Sequence, residues 1–158
     1  MTRANVDSEI RGTDPVIAER QHWMSVLARA ELDDLESYWQ SLPQHPDWRC
    51  LRKPEIGLAM VRGRTGGTGA AFNLGEVTLT RCVVELDAGV QGFGYVRGRS
   101  KRHAELAALL DGVLQLDGDH HRAALIEPLH KRWLSRREQT SRKAAATKVN
   151  FMTMVRGS

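Results

Sequence analysis

Residues 76–96 read EVTLTRCVVELDAGVQGFGYV, and this stretch decides the fold. Its first part is rich in valine and threonine, which are typical of β-strands. Asp87-Ala88-Gly89 is suited to a short hairpin turn, because Gly89 adopts a positive φ without steric cost. The remainder is the returning strand, in which Gly92 and Gly94 indicate a bulge or the close approach of another backbone.

Helical patterns precede this hairpin. Asp14 is placed to cap a helix that begins at Pro15. The face that this helix turns inward is predicted to carry Val16, Arg20, Trp23, Met24 and Leu27. A second, short helix keeps its apolar residues three or four apart and ends before Pro43. Those apolar residues are Leu32, Leu35, Trp39 and Leu42.

Helical patterns also follow the hairpin. Ser100 is a suitable N-cap for a helix with an apolar stripe that includes Leu106 and Leu110. A short helix is predicted before Pro128, and residues 129–147 are helix-prone but poorly amphipathic. The alternation in residues 149–155 suggests an added strand, and an apolar end beyond a basic helix hints at docking.

These patterns predict an α+β fold with N-terminal helices, a small antiparallel sheet with a central hairpin, and C-terminal helices. Residues 48–53 and 56–62 are expected to form two extended segments that Pro54 separates. Residues 1–13 are expected to be a flexible leader. Residues 14–158 are expected to form a single domain with a basic C-terminal helix and an apolar terminal segment.

The composition is that of a globular cytoplasmic protein. The chain has 158 residues, of which 41% are hydrophobic and 27% are charged, and these values argue against wholesale disorder. Cys50 and Cys82 lack the spacing of a disulfide framework, so free thiols in a reducing cytosol are expected. The N-terminus has no apolar signal core, and the sequence has no run long enough to span a membrane.

Several signatures of independent catalysis are absent from the sequence. It contains neither a P-loop nor a complete dinucleotide-binding fingerprint. It contains no HExxH, no CxxC and no three-cysteine cluster, so we expect no metal site. A nucleophile elbow of the GxSxG type is also missing. No catalytic residue is therefore assigned.

A glycine-rich loop is the best candidate for an anion cradle. Consecutive backbone N–H groups in such a loop can form a nest for a phosphate. Basic side chains nearby in sequence can add charge-assisted hydrogen bonds. A tight turn between strands is the competing interpretation. The residues concerned are Gly66, Gly67, Thr68 and Gly69, with Arg64 and Arg81 as the basic side chains.

A cationic cluster lies where the returning strand meets the next helix. Arg97, Arg99, Lys101 and Arg102 oppose the dipole at this helix N-terminus, so an anion or an acidic partner surface would compensate them. Plain solvation is the alternative. His103 is grouped with Arg97 and Arg99 as a candidate contact for that anion or partner. By itself it is either a proton carrier or a histidine that is hydrogen-bonded at the edge of the core. The His120-His121 pair is expected in a solvated turn.

The net charge of +4 is uneven, since residues 131–148 hold seven basic residues against one acid. A solvated helix face explains this excess without any ligand. The alternative is a basic nucleic-acid-binding module, although no recognition helix or stacking platform is evident.

Four stretches together resemble one family. They are residues 20–28 (RQHWMSVLA); the Gly66–Gly69 loop with Phe72, Gly75 and Thr78-Leu79-Thr80-Arg81; residues 94–99 (GYVRGR) with His103-Ala104-Glu105; and residues 150–157 (NFMTMVRG). In order and spacing they are similar to the phosphonate metabolism protein PhnG, a subunit of bacterial carbon–phosphorus lyase. The resemblance runs from about Arg20 to Gly157.

The resemblance implies that the chain acts within a complex that also contains the sister subunits PhnH, PhnI and PhnJ. With PhnL, this machinery displaces adenine from MgATP by a phosphonate and forms alpha-D-ribose 1-phosphonate 5-triphosphate. The chain would then be one subunit of a transferase, inactive alone and binding no cofactor by itself, with MgATP as the substrate of the complex. Neither nucleic acid nor a membrane is an expected partner.

Overall fold

The structure is a computed structural model that describes residues 14–146. These residues form the predicted α+β fold, in which helices flank a three-stranded antiparallel sheet of order β1-β2-β3. The elements in chain order are α1 (Pro15–Arg29), α2 (Leu32–Ser41), β1 (Trp48–Arg64), β2 (Ala71–Leu86), β3 (Gln91–Arg97), α3 (Lys101–Leu116), α4 (Gly118–His121) and α5 (Glu127–Ala146). The expected leader at residues 1–13 and the expected strand at residues 149–155 lie outside the described residues.

The two N-terminal helices begin and end largely as the sequence predicts. The Asp14 side chain accepts a hydrogen bond from the Val16 N–H at 2.9 Å, and Pro15 opens α1. The inward face of α1 is Trp23, Val26 and Leu27. Val16 is 68% exposed, so its predicted place on that face is wrong. The first turn of a helix can extend past the layer that it packs against, and periodicity alone does not show where contact starts.

The first strand corrects one prediction. The two extended segments are one strand, β1, and Pro54 lies inside it. β1 is an edge strand, where a residue without an N–H is tolerated if that side faces away from the ladder. The pairing register with β2 shifts between Arg52 and Glu55, so the ladder accommodates the proline with an irregularity.

The central hairpin has the predicted form. Gly89 has a φ of 75°, and its N–H donates to the Leu86 carbonyl oxygen at 2.8 Å. Val83 of β2 lies opposite Phe93 of β3. β2 begins at Ala71, earlier than the valine-rich run, and so reaches well beyond the end of β3.

The helix α3 packs directly on β3 through two glycines. A Cβ on Gly92 would overlap the carbonyl oxygen of Ala108, and one on Gly94 would overlap that of Ala104. The close backbone approach predicted for these glycines is therefore confirmed. The Ser100 side chain caps α3 by accepting from the His103 N–H, also as predicted.

The core lies between the helices and one face of the sheet. Thr80, Cys82, Val84 and Leu86 alternate along β2 and are buried on that face. α3 lies across β2 and β3, and α1 and α2 pack against α3. α3 is buried almost throughout, from Ala104 to Leu114.

Pro128 does not end a helix, contrary to the sequence-based expectation. It is the second residue of α5, and a π-helical segment, Arg122–Ile126, joins α4 to α5. The Glu127 N–H donates to the Arg122 carbonyl oxygen, a spacing of one π-turn. Proline has no N–H to donate and crowds the preceding turn, and the wider π-turn relieves both conflicts.

Candidate functional site

A buried carboxylate that the sequence analysis missed joins three elements. Asp111 of α3 has no solvent exposure. Its Oδ1 accepts from the Trp23 indole N–H at 2.8 Å, and its Oδ2 accepts from the Phe93 N–H at 2.9 Å. Arg20 donates to Oδ2 at 2.8 Å and to Oδ1 at 3.3 Å. Gln115 also donates to Oδ2 at 3.3 Å.

This network saturates Asp111, so the carboxylate has no free lone pair for a substrate. Its charge is balanced by Arg20, whose side chain is 31% exposed and also lies over the Phe93 ring at 5.5 Å. The network ties α1 and α3 to the open edge of β3. A sequence signal for it existed, since an aspartate in the middle of an apolar helical stripe requires a partner.

The glycine-rich loop forms the turn between β1 and β2. Gly66 has a φ of 61°, and the Thr68 and Gly69 N–H groups both donate to the Thr65 carbonyl oxygen. Arg64 reaches the Gly69 carbonyl oxygen at 3.5 Å. Two of the N–H groups that an anion nest would need are thus engaged within the turn, which matches the tight-turn interpretation. Anion binding here stays a prediction.

Arg81 does not join that loop. It lies opposite Glu55 in the β1–β2 register and donates to the Glu55 carboxylate at 2.6 Å. Glu55 and Arg64 are nine residues apart on one strand, which corresponds to roughly 30 Å. The structure therefore separates Arg81 from Arg64, although the two were grouped from their sequence proximity.

The cationic cluster at the start of α3 is partly compensated within the chain. Arg102 donates to Glu36 of α2 at 2.8 Å and to Glu105 at 2.7 Å. The hydrogen bond from Arg102 lowers the pKa of Glu36. Arg97 and Arg99 are exposed and make no ion pair with residues 14–146. Their role in binding an anion or a partner stays a prediction.

The histidines of interest are held by other parts of the chain. His103 Nε2 lies 2.9 Å from the Leu27 carbonyl oxygen near the end of α1, at the edge of the core. His121 Nδ1 lies 2.7 Å from the Tyr38 hydroxyl, and burial lowers the pKa of His121. His121, at the end of α4, is therefore half-buried against α2. The expectation that it lies in a solvated turn is wrong. His120 is exposed.

The thiols, the acidic side chains and the histidines are the remaining candidates for metal ligands. Cys50 and Cys82 are free, and burial raises the pKa of Cys82 to about 12. A cleft of about 640 Å³ beside His45, His120 and His121 includes Asp47, Asp87 and Asp117. Within residues 14–146, no three such side chains are arranged as a group that could hold a metal ion.

The basic helix α5 is tied to α2 by ion pairs. Arg132 pairs with Asp34 at 3.1 Å, and Arg136 pairs with Glu31 at 2.8 Å. Arg142 pairs with Glu138 within the helix. Because these ion pairs neutralise three of its arginines, α5 offers less unpaired positive charge than the nucleic-acid hypothesis assumed. Among the described helices, none has the length and apolar content needed to cross a bilayer.

Comparison with known proteins decides the family. The profile of the family described as Phosphonate metabolism protein PhnG matches residues 18–157. A curated protein of Rhizobium meliloti (strain 1021) is 40% identical over 156 residues, which cover 96% of this chain and 98% of that protein. The chain belongs to the PhnG family. The Rhizobium relative is named alpha-D-ribose 1-methylphosphonate 5-triphosphate synthase subunit PhnG.

Membership of the PhnG family confirms the resemblance seen in the four sequence stretches. The matched range begins just before Arg20 and ends at Gly157. Arg20 and Trp23, in the first of those stretches, are the two α1 residues that bind Asp111. Gly94, in the third, is one of the two glycines on which α3 rests. In this chain, those stretches thus include residues that pack α1 and α3 on β3.

Proposed function

We propose that this chain is the PhnG subunit of alpha-D-ribose 1-methylphosphonate 5-triphosphate synthase. It acts in the cytoplasm with PhnH, PhnI and PhnJ and, for the transfer step, with PhnL. A phosphonate oxygen forms a bond to C1′ of the MgATP ribose, the C1′–N9 bond breaks, and adenine leaves with the bonding pair and a proton. The chain holds no cofactor of its own.

One observation supports a role that depends on partners. The polar groups singled out among residues 14–146 either are held by other parts of this chain or lie apart on its surface. Asp111 is saturated, and His103 is bound to α1. Arg64 and Arg81 are separated along one ribbon. A nucleophilic displacement needs converging groups, so other subunits must supply or complete the site.

The test is adenine release from MgATP and methylphosphonate, measured by chromatography. We expect no release by the purified chain, release by the complex reconstituted with all partner subunits, and none when this chain is left out. Adenine release by the chain alone contradicts the partner-dependent role. Full release by a complex that lacks the chain contradicts the proposal altogether.

A further inference from the structure

The β1–β2 ribbon extends beyond the helical layer as an arm, defined here as residues 58–78, with Ile56 at its base. β3 ends at Arg97, opposite Leu79, and the chain turns away there, with the Gly98 N–H bonded to the Thr78 carbonyl oxygen at 2.9 Å. Beyond that point, among residues 14–146, β2 pairs with β1 alone. Within the described part of the chain the arm is therefore two strands wide, with an open edge on each side.

The arm carries apolar side chains that no described part of the chain covers. Ile56 lies opposite Thr80, whose side is the core face of the sheet, and Leu58 and Met60 continue that face along β1. All three are exposed, Leu58 at 65%. Near the tip, Phe72 and Leu74 are exposed as well, but they lie on the other face of the ribbon, beside Gly63. The face that forms the core under the helices thus continues into solvent with the apolar side chains of Ile56, Leu58 and Met60.

Such an arm is unfavourable in an isolated protein. A two-stranded ribbon is only marginally stable in water by itself, and unpaired strand edges invite pairing with another chain. Contiguous exposed apolar surface on a soluble protein marks an interaction site. Leu58, Met60 and the two edges together fit a partner that contributes an apolar groove or an extended strand.

The charges at the end of the arm indicate the partner's chemistry. Arg62 and Arg64 follow Leu58 and Met60 on the same face, by strand alternation. Neither arginine is within ion-pair distance of a carboxylate of residues 14–146. Glu76, opposite Met60, is the acidic residue of the arm. A second copy of this chain would bring two further arginines to the surface and little acid, so an acidic partner fits better.

We propose that the arm inserts into an apolar groove of a neighbouring synthase subunit, whose carboxylates meet Arg62 and Arg64. This inference rests on the proposed function and adds the surface that carries assembly. Replacing Leu58 and Met60 removes apolar contacts with the partner, so it weakens assembly. Because both side chains are exposed in the free chain, the replacement leaves the fold of the free chain unchanged.

The first experiment is co-purification of the tagged full-length chain with co-expressed PhnH, PhnI and PhnJ. We expect the double variant Leu58→Ser/Met60→Ser to recover at least about tenfold less partner. The matched control is Val16→Ser, an equally exposed apolar residue on α1, at 68%. That control keeps full assembly, and circular dichroism shows the same fold in all three proteins. Wild-type recovery of the double variant overturns the inference while the proposed function stands.

The second experiment tests the charge. Arg62→Glu/Arg64→Glu is expected to lose more partner than Arg62→Gln/Arg64→Gln, because reversal adds repulsion to the loss of attraction. Equal recovery by the two double variants overturns the acidic groove. If the wild-type chain captures no partner at all, the proposed function fails first, which separates the two failures.

A photo-cross-link identifies the occupant. Benzoylphenylalanine at position 58 of the full chain is expected to cross-link to another synthase subunit, whereas the same residue at position 16 is not. Cross-links from position 58 to a second copy of the chain, or to residues 147–158 of the same chain, overturn the proposal.

Discussion

Asp111 shows what a buried charge requires. A carboxylate without solvent exposure loses its hydration, and the cost is offset only if every lone pair finds a donor. Arg20 and Trp23 of α1, Phe93 of β3 and Gln115 of α3 supply those donors. The charge therefore fixes the position of α1 relative to the edge of the sheet.

Replacing Asp111 is expected to destabilise the fold strongly. Asp111→Ala leaves the Trp23 and Phe93 N–H groups without an acceptor and Arg20 without its anion, so the free energy of unfolding falls by about 3 kcal/mol. Arg20→Gln costs less, about 1 kcal/mol, because the Arg20 side chain is 31% exposed and partly solvated. Urea unfolding measures both. Asp87→Ala, at an exposed turn, is the control and changes little. Equal stability of Asp111→Ala and wild type contradicts this account.

At the residue scale, the sequence predicts features whose partners are local. Asp14, Ser100 and Gly89 each act within a few residues, and the structure confirms all three. Asp111 was missed because its donors Trp23 and Arg20 lie 88 and 91 residues away. His103 was correctly suspected of a hydrogen bond at the core edge, yet the Leu27 carbonyl that it contacts was not predictable from spacing.

At the element scale, the packing of α3 on β3 depends on two glycines, which have no side chain to separate the two backbones. Gly92 and Gly94 let the helix backbone approach the strand more closely than any side chain permits. The atoms in the way are the carbonyl oxygens of Ala108 and Ala104, which belong to a helix and do not move independently. The contact is therefore more demanding than ordinary core packing, where a side chain can change its rotamer.

Gly94→Ala is expected to push α3 away from the sheet and reduce the free energy of unfolding by about 3 kcal/mol or more. Thermal unfolding, followed by circular dichroism, measures the loss as a lower Tm. Gly57→Ala is the matched control, because that glycine is also in a strand and a Cβ there meets nothing within 4 Å. A Gly94→Ala protein as stable as Gly57→Ala would mean that the helix and strand are further apart than the structure has them.

Two predictions about elements were wrong because they assumed that a proline always interrupts a strand or ends a helix. Pro54 was expected to break a strand, but β1 lies at the edge of the sheet and shifts register there. Pro128 was expected to follow a helix end, but the π-turn before it accommodates the ring. In both cases the tolerance comes from a neighbouring element or a widened turn, and neither has a sequence signature of its own.

At the scale of the whole molecule, stability is unevenly distributed. The helices cover one end of the sheet, where Cys82, Val84 and Leu86 are buried. Within residues 14–146, the arm (residues 58–78) is supported by its own two strands only. The sequence could predict that residues 56–62 are extended, since they alternate. Alternation does not reveal whether the apolar face is covered by the same chain or by another, so the arm could not be placed from sequence.

This uneven distribution predicts a gradient of amide hydrogen exchange in the free chain. Amides of β2 from Cys82 to Leu86 should exchange only when the whole domain unfolds, because α3 and both neighbouring strands cover them. Amides of the same strand from Ala71 to Val77 should exchange at least about 100-fold faster through local opening of the ribbon. The two ends of β2 serve as an internal control, because the Cys82–Leu86 end lies under the helices and the Ala71–Val77 end lies in the arm. Uniformly slow exchange along β2, measured by mass spectrometry on the full-length chain, would mean that the arm is stable without a partner. The physical need for a neighbouring subunit on that surface would then be gone.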